Sequence, residues 1–497
     1  MRDTLISRTA MMTTLGATLL TGCAGFSADF GNPLDRFSPK AAVVDTQLPQ
    51  APAQDWVAES YKPDALPSTN WVAEFGDPTL LRIINTALIA NPDIRAARAR
   101  LDAAEQSAII ASQGLLPGVS ASGGVTHSEF GDSRIGDSNR FDVGINASWE
   151  ADLWGRVRDT ANAGELEAGA SEADYFAARL SITGQAATAW FDLIEARLQT
   201  ELSERNLQTQ NRALNLTERR FFSGLTTSAD VRIARSSVAS AEASLASRKQ
   251  AQSSGSRRVE VLLRDYPSAQ LEASTDLPAL PPVHAIIDPQ TMLTRRPDLI
   301  AAETRMAAQG LRVDIARKNL LPKLTLSGDV GLQVGDISDL LDIDGIIASI
   351  VGGLTAPIFQ AGALKAEVKR NEAVLRQQVE SYVNTVLTAY LDVENALDAE
   401  RRLDEREAAL RVALEEARQA ELRLERQYSQ GLINFLPLLD AQSRAINAES
   451  ALISARKERL ANRVRLHLAL GGGTYGAPTD ILVAQTLTGN IAGSTPR

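Results

Sequence analysis

The chain has 497 residues with 51 basic and 61 acidic side chains, and a formal net charge of -10 excludes the basic surface of a nucleic-acid-binding protein. Apolar residues at 44% against 23% charged suffice for a large core and exclude an acidic disordered chain, while one cysteine and three histidines leave no internal disulfide and no usual zinc site. Beyond the N-terminus no stretch approaches the roughly 20 apolar residues of a spanning helix, so a membrane crossing here has to be made by strands.

In chain order, Arg2 and Arg8 precede a short apolar run from Met11 to Leu20, too short to span and read as a secretory signal over residues 1–22. Leu20-Thr21-Gly22-Cys23 resembles the lipobox of bacterial lipoproteins, which implies that Cys23 is acylated and becomes the first mature residue. Ala24, rather than Asp, follows it, which resembles the outer-membrane sorting choice. Residues 23–70, rich in proline from Pro33 to Pro67, read as a lipidated, extended arm.

The chain then repeats itself. Asn91-Pro92-Asp93 to Val125 aligns without a gap on Arg296-Pro297-Asp298 to Val330, including the identities Arg100/Arg305, Leu116/Leu321 and Gly123/Gly328. The spacing shifts by two further on, pairing Gly155 with Gly362 and Gly224-Leu225 with Gly431-Leu432. The expected layout is repeat one over 71–275 with strands at about 118–150, repeat two over 276–475 with strands at about 323–359, and a tail over 476–497.

Each repeat reads as helix, hairpin, helix. Asp77-Pro78 is a good helix start, and an Ala-rich run broken at Pro92 leads to Leu116-Pro117. Val119, Ala121, Gly123 and Val125 then alternate with Ser120, Ser122, Gly124 and Thr126. Phe141 to Glu150 and Leu324 to Gly331 alternate likewise, and a weaker apolar strand covers about Ile346 to Phe359. Residues 363–430 contain no Gly or Pro and the span between Gly155 and Gly224 no Pro, so each predicts a helix of about 100 Å. Val368, Leu375, Tyr382, Ala389, Ala396, Leu403, Leu410, Ala417 and Leu424 recur every seventh residue, the mark of coiled-coil packing. Return helices are expected near 228–263 and 435–470.

Four strands cannot close a barrel, and open edges are forbidden in lipid, so copies must combine. Three chains would make a twelve-stranded barrel with apolar faces to lipid and Ser, Thr, Asn and Asp faces to water. The fold class expected is therefore mainly α with a membrane β part: a trimeric β-barrel continued by a long α-helical barrel.

Arg296-Pro297-Asp298-Leu299-Ile300-Ala301-Ala302-Glu303, with Ala316-Arg317 and Leu321-Pro322, resembles the signature of the TolC-type outer-membrane factors. It is most similar to the lipoprotein, NodT-like branch that serves resistance-nodulation-division pumps. Trp149-Glu150-Ala151-Asp152-Leu153-Trp154-Gly155, Pro357-Ile358-Phe359 and Leu470-Gly471-Gly472-Gly473 support the likeness over about residues 70 to 475. The resemblance implies the outer-membrane exit duct of a tripartite efflux pump for drugs, toxic compounds or metals. Its partners would be a periplasmic adaptor, an inner-membrane resistance-nodulation-division transporter and outer-membrane lipid, with no cofactor beyond the lipid on Cys23. Two alternatives keep part of the pattern: the duct of a type I protein secretion system, and a periplasm-spanning structural lipoprotein that transports nothing. No nucleophile elbow, phosphate loop or clustered Cys/His motif points to an enzyme.

The turns Ser223-Gly224-Leu225-Thr226 and Gln430-Gly431-Leu432-Ile433 end the two long helices. Glycine explains the turning, but Leu225 and Leu432 are apolar residues expected at exposed tips, and the resemblance implies that Gly224, Leu225, Gly431 and Leu432 dock the adaptor. It also implies a periplasmic gate there, with Tyr428 hydrogen-bonded to Asp230 and rings formed by Leu436 and Asp440. Pro437 stands where some relatives carry a second acid, which leaves a double acidic ring open. The bland alternatives are a first-turn helix acid for Asp230 and core packing for Leu436.

Overall fold

A computed structural model describes residues 56–58, 71–129, 138–283, 287–341 and 345–472. The expected signal peptide, Cys23, most of the arm and the tail lie outside the described residues.

Helix α1 (Pro78–Ala90) starts where one Asp77 oxygen accepts from the amides of Thr79 and Leu80 at 2.8 and 3.1 Å, with Pro78 in the first turn. The other oxygen accepts from Trp190 Nε1 at 2.7 Å, so the cap also anchors the main core. Asn91 begins α2 (Pro92–Ser112) in the same way, and its side-chain amide donates to the carbonyl of Leu262 at 3.1 Å.

Strands β1 (Gly118–Ser128), β2 (Ser138–Ala151), β3 (Lys323–Val334) and β4 (Ile347–Thr355) form one antiparallel sheet in the order β1-β2-β3-β4, so the hairpins of both repeats share it. The fourth strand, expected to reach Phe359, stops at Thr355, just before Pro357, which lacks the N–H a ladder needs. The register puts Ser120, Asn146, Asp329 and Ser349 in one row and Ala121, Ile145, Val330 and Ala348 in the row behind it. The alternation therefore becomes one polar and one mainly apolar face. Across the polar face Asn146 donates to Ser122 Oγ at 2.9 Å and the Ser349 hydroxyl to Asp329. On the apolar face Val125 and Ile350 are 72% and 79% exposed.

The long helices are α3 (Arg156–Phe222) and α7 (Ala363–Ser429), of 67 residues each, with return helices α4 (Ser228–Leu262) and α8 (Phe435–Ala469) of 35. Short α5 (Pro289–Leu293) and then α6 (Pro297–Lys318) precede β3. The Trp149 to Gly155 motif is the joint between sheet and helix. Asp152 accepts from the amides of Val157 and Arg158 at 2.9 Å, Trp154 Nε1 donates to the carbonyl of Pro322 at 2.7 Å, and Arg156 pairs with Glu150. Every member of the seven-residue stripe on α7 is buried or half-buried.

These helices form a strip rather than a bundle. α3 packs against α2 and α6 near the sheet and against α4 and α8 farther along, while α7 packs against α6 and α8. The core sits where α1, α3, α4 and α8 meet, around Phe75, Leu80, Ile83, Trp190, Phe191, Ile194, Val259 and Val464. Farther back in sequence, Trp56 Nε1 donates to the carbonyl of Ile287, and the amides of Val57 and Ala58 donate to the Glu394 carboxylate on α7, each at 2.8 Å. Among the described residues no helix is long and apolar enough to cross a membrane.

Candidate functional site

The two interhelical turns are built alike. Gly224 and Gly431 take φ of 70° and 81°, a left-handed conformation open to glycine at little cost. In each, the following amide reaches back five residues, Leu225 to the carbonyl of Arg220 at 2.8 Å and Leu432 to that of Gln427 at 2.9 Å. The glycine amides bond the carbonyls of Phe221 and Tyr428, completing the paired bonds that close a helix C-terminus. Leu225 and Leu432 are 67% and 69% exposed, and Phe222, three residues before Leu225, is exposed as well.

Beyond each turn the two repeats diverge. Thr227 caps α4 and forms a capping box with Asp230, whereas Asn434 starts α8 without a side-chain cap. Asp230 accepts from the hydroxyls of Thr226 and Thr227 at 2.6 and 2.8 Å and from the Thr227 amide at 3.0 Å. The Thr226 bond first, then those from Thr227 and the nearby Arg220 charge, hold its carboxyl below the usual aspartate range against a small opposing effect of burial. Asp230 is thus a helix-starting acid.

Tyr428 is fully buried among Ala213, Ala234, Phe435 and Leu438. Its hydroxyl pairs with Thr217 Oγ1 at 2.9 Å. The expected bond from Tyr428 to Asp230 is therefore replaced by two separate ones: the local threonines satisfy the acid, and α3 satisfies the tyrosine. Leu436 is 65% exposed, so core packing within one chain does not explain it. Asp440, one helical turn farther on, is exposed and pairs with Arg444 at 2.8 Å.

Sequence reasoning missed Arg220. Its guanidinium lies over the Tyr428 ring, 4.5 Å from the centroid, and Nη1 donates to the carbonyl of Tyr428. The only local signal was a basic residue in the last turn of α3, which the helix dipole explains without any partner. Among the described residues no group of His, Cys, Asp and Glu could hold a metal ion. What the tip offers is apolar surface, exposed acid and a tyrosine clamped from the other repeat.

The chain matches the family model described as Outer membrane efflux protein over residues 83–263 and 289–472. It is 31% identical over 437 residues to the pyoverdine export outer membrane protein OpmQ of Pseudomonas putida, covering 85% of this chain and 92% of that protein. It is 30% identical over 450 residues to the toluene efflux pump outer membrane protein TtgC of Pseudomonas putida, covering 87% and 92%. The solved structure of the outer-membrane channel OprN superposes with a TM-score of 0.79 at 30% identity, covering 86% of this chain and 98% of OprN.

Proposed function

The chain belongs to the outer membrane efflux protein family and is an outer-membrane efflux channel, and on that premise we propose that three copies form a ring. Their sheets close a twelve-stranded barrel in the outer membrane, and their helices continue it as a tube into the periplasm.

The ends of the strip carry this proposal. In the sheet, β1 and β4 are the outer strands; in the helical layer, α2 and α4 lie at one end and α7 at the other. α7 exposes Leu387, Leu391, Val412 and Leu422. The repeat names what should cover them. Gly184 on α3 is the counterpart of Leu391, and it is covered by Leu468 of α8. The counterpart of Leu468 is Val261 on α4, itself 56% exposed. Head-to-tail closure sets Leu391 of one copy on Val261 of the next, a heterologous contact that generates a ring.

Relatives are named for pyoverdine export and toluene efflux, which supports small molecules as the cargo. On this reading the tips at Leu225 and Leu432 dock a periplasmic adaptor, an inner-membrane resistance-nodulation-division transporter feeds the tube, and a lipid on Cys23 adds an anchor. Leu436 and Asp440, repeated three times around the axis, form the constriction. Oxidation of the full-length protein carrying Leu391→Cys and Val261→Cys should give a ladder ending at the trimer on a non-reducing gel. Absence of any cross-link, with native conductance in planar bilayers, would refute this closure.

A further inference from the structure

We propose that Arg220 is the latch of the constriction at the tip, a positioning residue that holds the end of α7 against α3. The proposal rests on the reading of Leu436 and Asp440 as the gate.

Four observations meet at this side chain. Arg220 leaves α3 of the first repeat and lies over Tyr428 of the second, with its Cζ 4.5 Å from the ring centroid. Its Nη1 donates to the carbonyl of Tyr428, in the last turn of α7. Both terminal guanidinium nitrogens stand about 4 Å from where a Cβ on Gly431 would lie, so the cation covers the turn itself. Thr217, one turn back on α3, completes the grip through the Tyr428 hydroxyl at 2.9 Å.

A helix-end cation needs no partner on another helix. This one spans two repeats, and it does so at a cost: among the described residues its buried Nε makes no hydrogen bond. An arrangement with an unsatisfied donor is one that a docking partner can release, because any competing acceptor improves on it. The matching position in the second repeat is Gln427, and the counterpart of Tyr428 is Phe221. Neither a cation nor a hydroxyl is available there, so only one of the two repeats carries the latch.

The test uses full-length protein in planar bilayers. Arg220→Gln is the variant of choice because the second repeat already carries glutamine, Gln427, at the matching position before a turn with the same hydrogen bonds. The open fraction should rise about tenfold, the change expected from losing about 1.4 kcal/mol of closed-state preference. The protein should still assemble to the native oligomer, read by sedimentation in detergent. Arg220→Lys, which keeps the charge but not the planar stack and fork, should fall between. A parallel arm locates the gate independently: Cd2+ should block channels carrying Asp440→Cys. Native conductance in Arg220→Gln with Cd2+ block intact overturns the latch and leaves the gate standing. Loss of Cd2+ block overturns the gate reading itself, and the latch with it.

Discussion

Helices α3 and α7 have the same length, begin after a left-handed glycine and end on the same turn, yet twenty-one residues of α3 are buried and only eleven of α7. Helix pattern does not account for the difference, because the seven-residue stripe of α7 is fully used. Neighbours do. α3 lies inside the strip with helices on both flanks, and α7 is its edge. Position 391 shows the distinction in one residue: the covered helix has Gly184, with no room for a side chain, and the edge helix has Leu391, 56% exposed.

The strongest way to break this comparison is to charge the bare flank. On the closure proposed above, Leu391→Glu should abolish trimers and channel conductance, since burying an unpaired carboxylate at each contact costs several kcal/mol, on the order of 3 or more per site. Gln185→Glu, at an exposed position of α3, should leave assembly intact, and sedimentation in detergent distinguishes the two. Next in size is the reverse exchange. Gly184→Leu overlaps the Leu468 side chain and should cost about 1–3 kcal/mol through overpacking, read as a lower unfolding midpoint by circular dichroism.

A third effect contrasts the ends of the return helices, where Glu260 on α4 stands opposite His467 on α8 in the repeat. Burial acts to raise the Glu260 carboxyl, but the amides of Ala269, Leu271 and Gln270 outweigh it and hold the group below the ordinary glutamate range. A folded value below the unfolded one means stabilisation that is complete above the unfolded value, about 4.3, and lost as pH falls through the folded value. Protection of the 269–271 amides from hydrogen exchange should thus be constant from pH 8 to 5, after correction for intrinsic rates, and collapse only in stronger acid. Glu260→Gln should lower that protection at pH 7, by about 1–2 kcal/mol. The smallest expected effect on stability is Asp440→Asn. Its exposed pair with Arg444 contributes less than about 0.5 kcal/mol, so unfolding should not move. Cation preference of the channel should nevertheless fall if Asp440 lines the constriction, and unchanged reversal potentials would place the acid elsewhere.

Much of the architecture was legible because it was written twice. The helix start at Asp77-Pro78, the break at Asn91-Pro92, the alternating strands and the glycines at 224 and 431 are each local chemistry, and the structure keeps them. Local chemistry also explains the miss at the tip. Matching Tyr428 and Asp230 to a family pattern fixes their positions along the chain and says nothing of competitors. Thr226 and Thr227 stand within four residues of Asp230 and reach it first, while Thr217 meets the tyrosine. Arg220 stayed hidden because its partner lies on the other repeat. The bareness of α7 was equally invisible: a stripe records which side of a helix is apolar, and Leu387, Leu391, Val412 and Leu422 gain meaning only once the neighbours on the other side are counted.

Equal helix lengths make the chain a ruler. α3 matches α7 at 67 residues and α4 matches α8 at 35, while the two-residue shift between the repeats falls between Val125 and Gly155, the stretch that holds the hairpin connection. One added residue in α3 alone would push its turn out of level by about 1.5 Å and rotate everything beyond it by about 100°. In the ring proposed above, where all the turns must finish at one height, such a change in a single long helix would leave its tip out of line with the others.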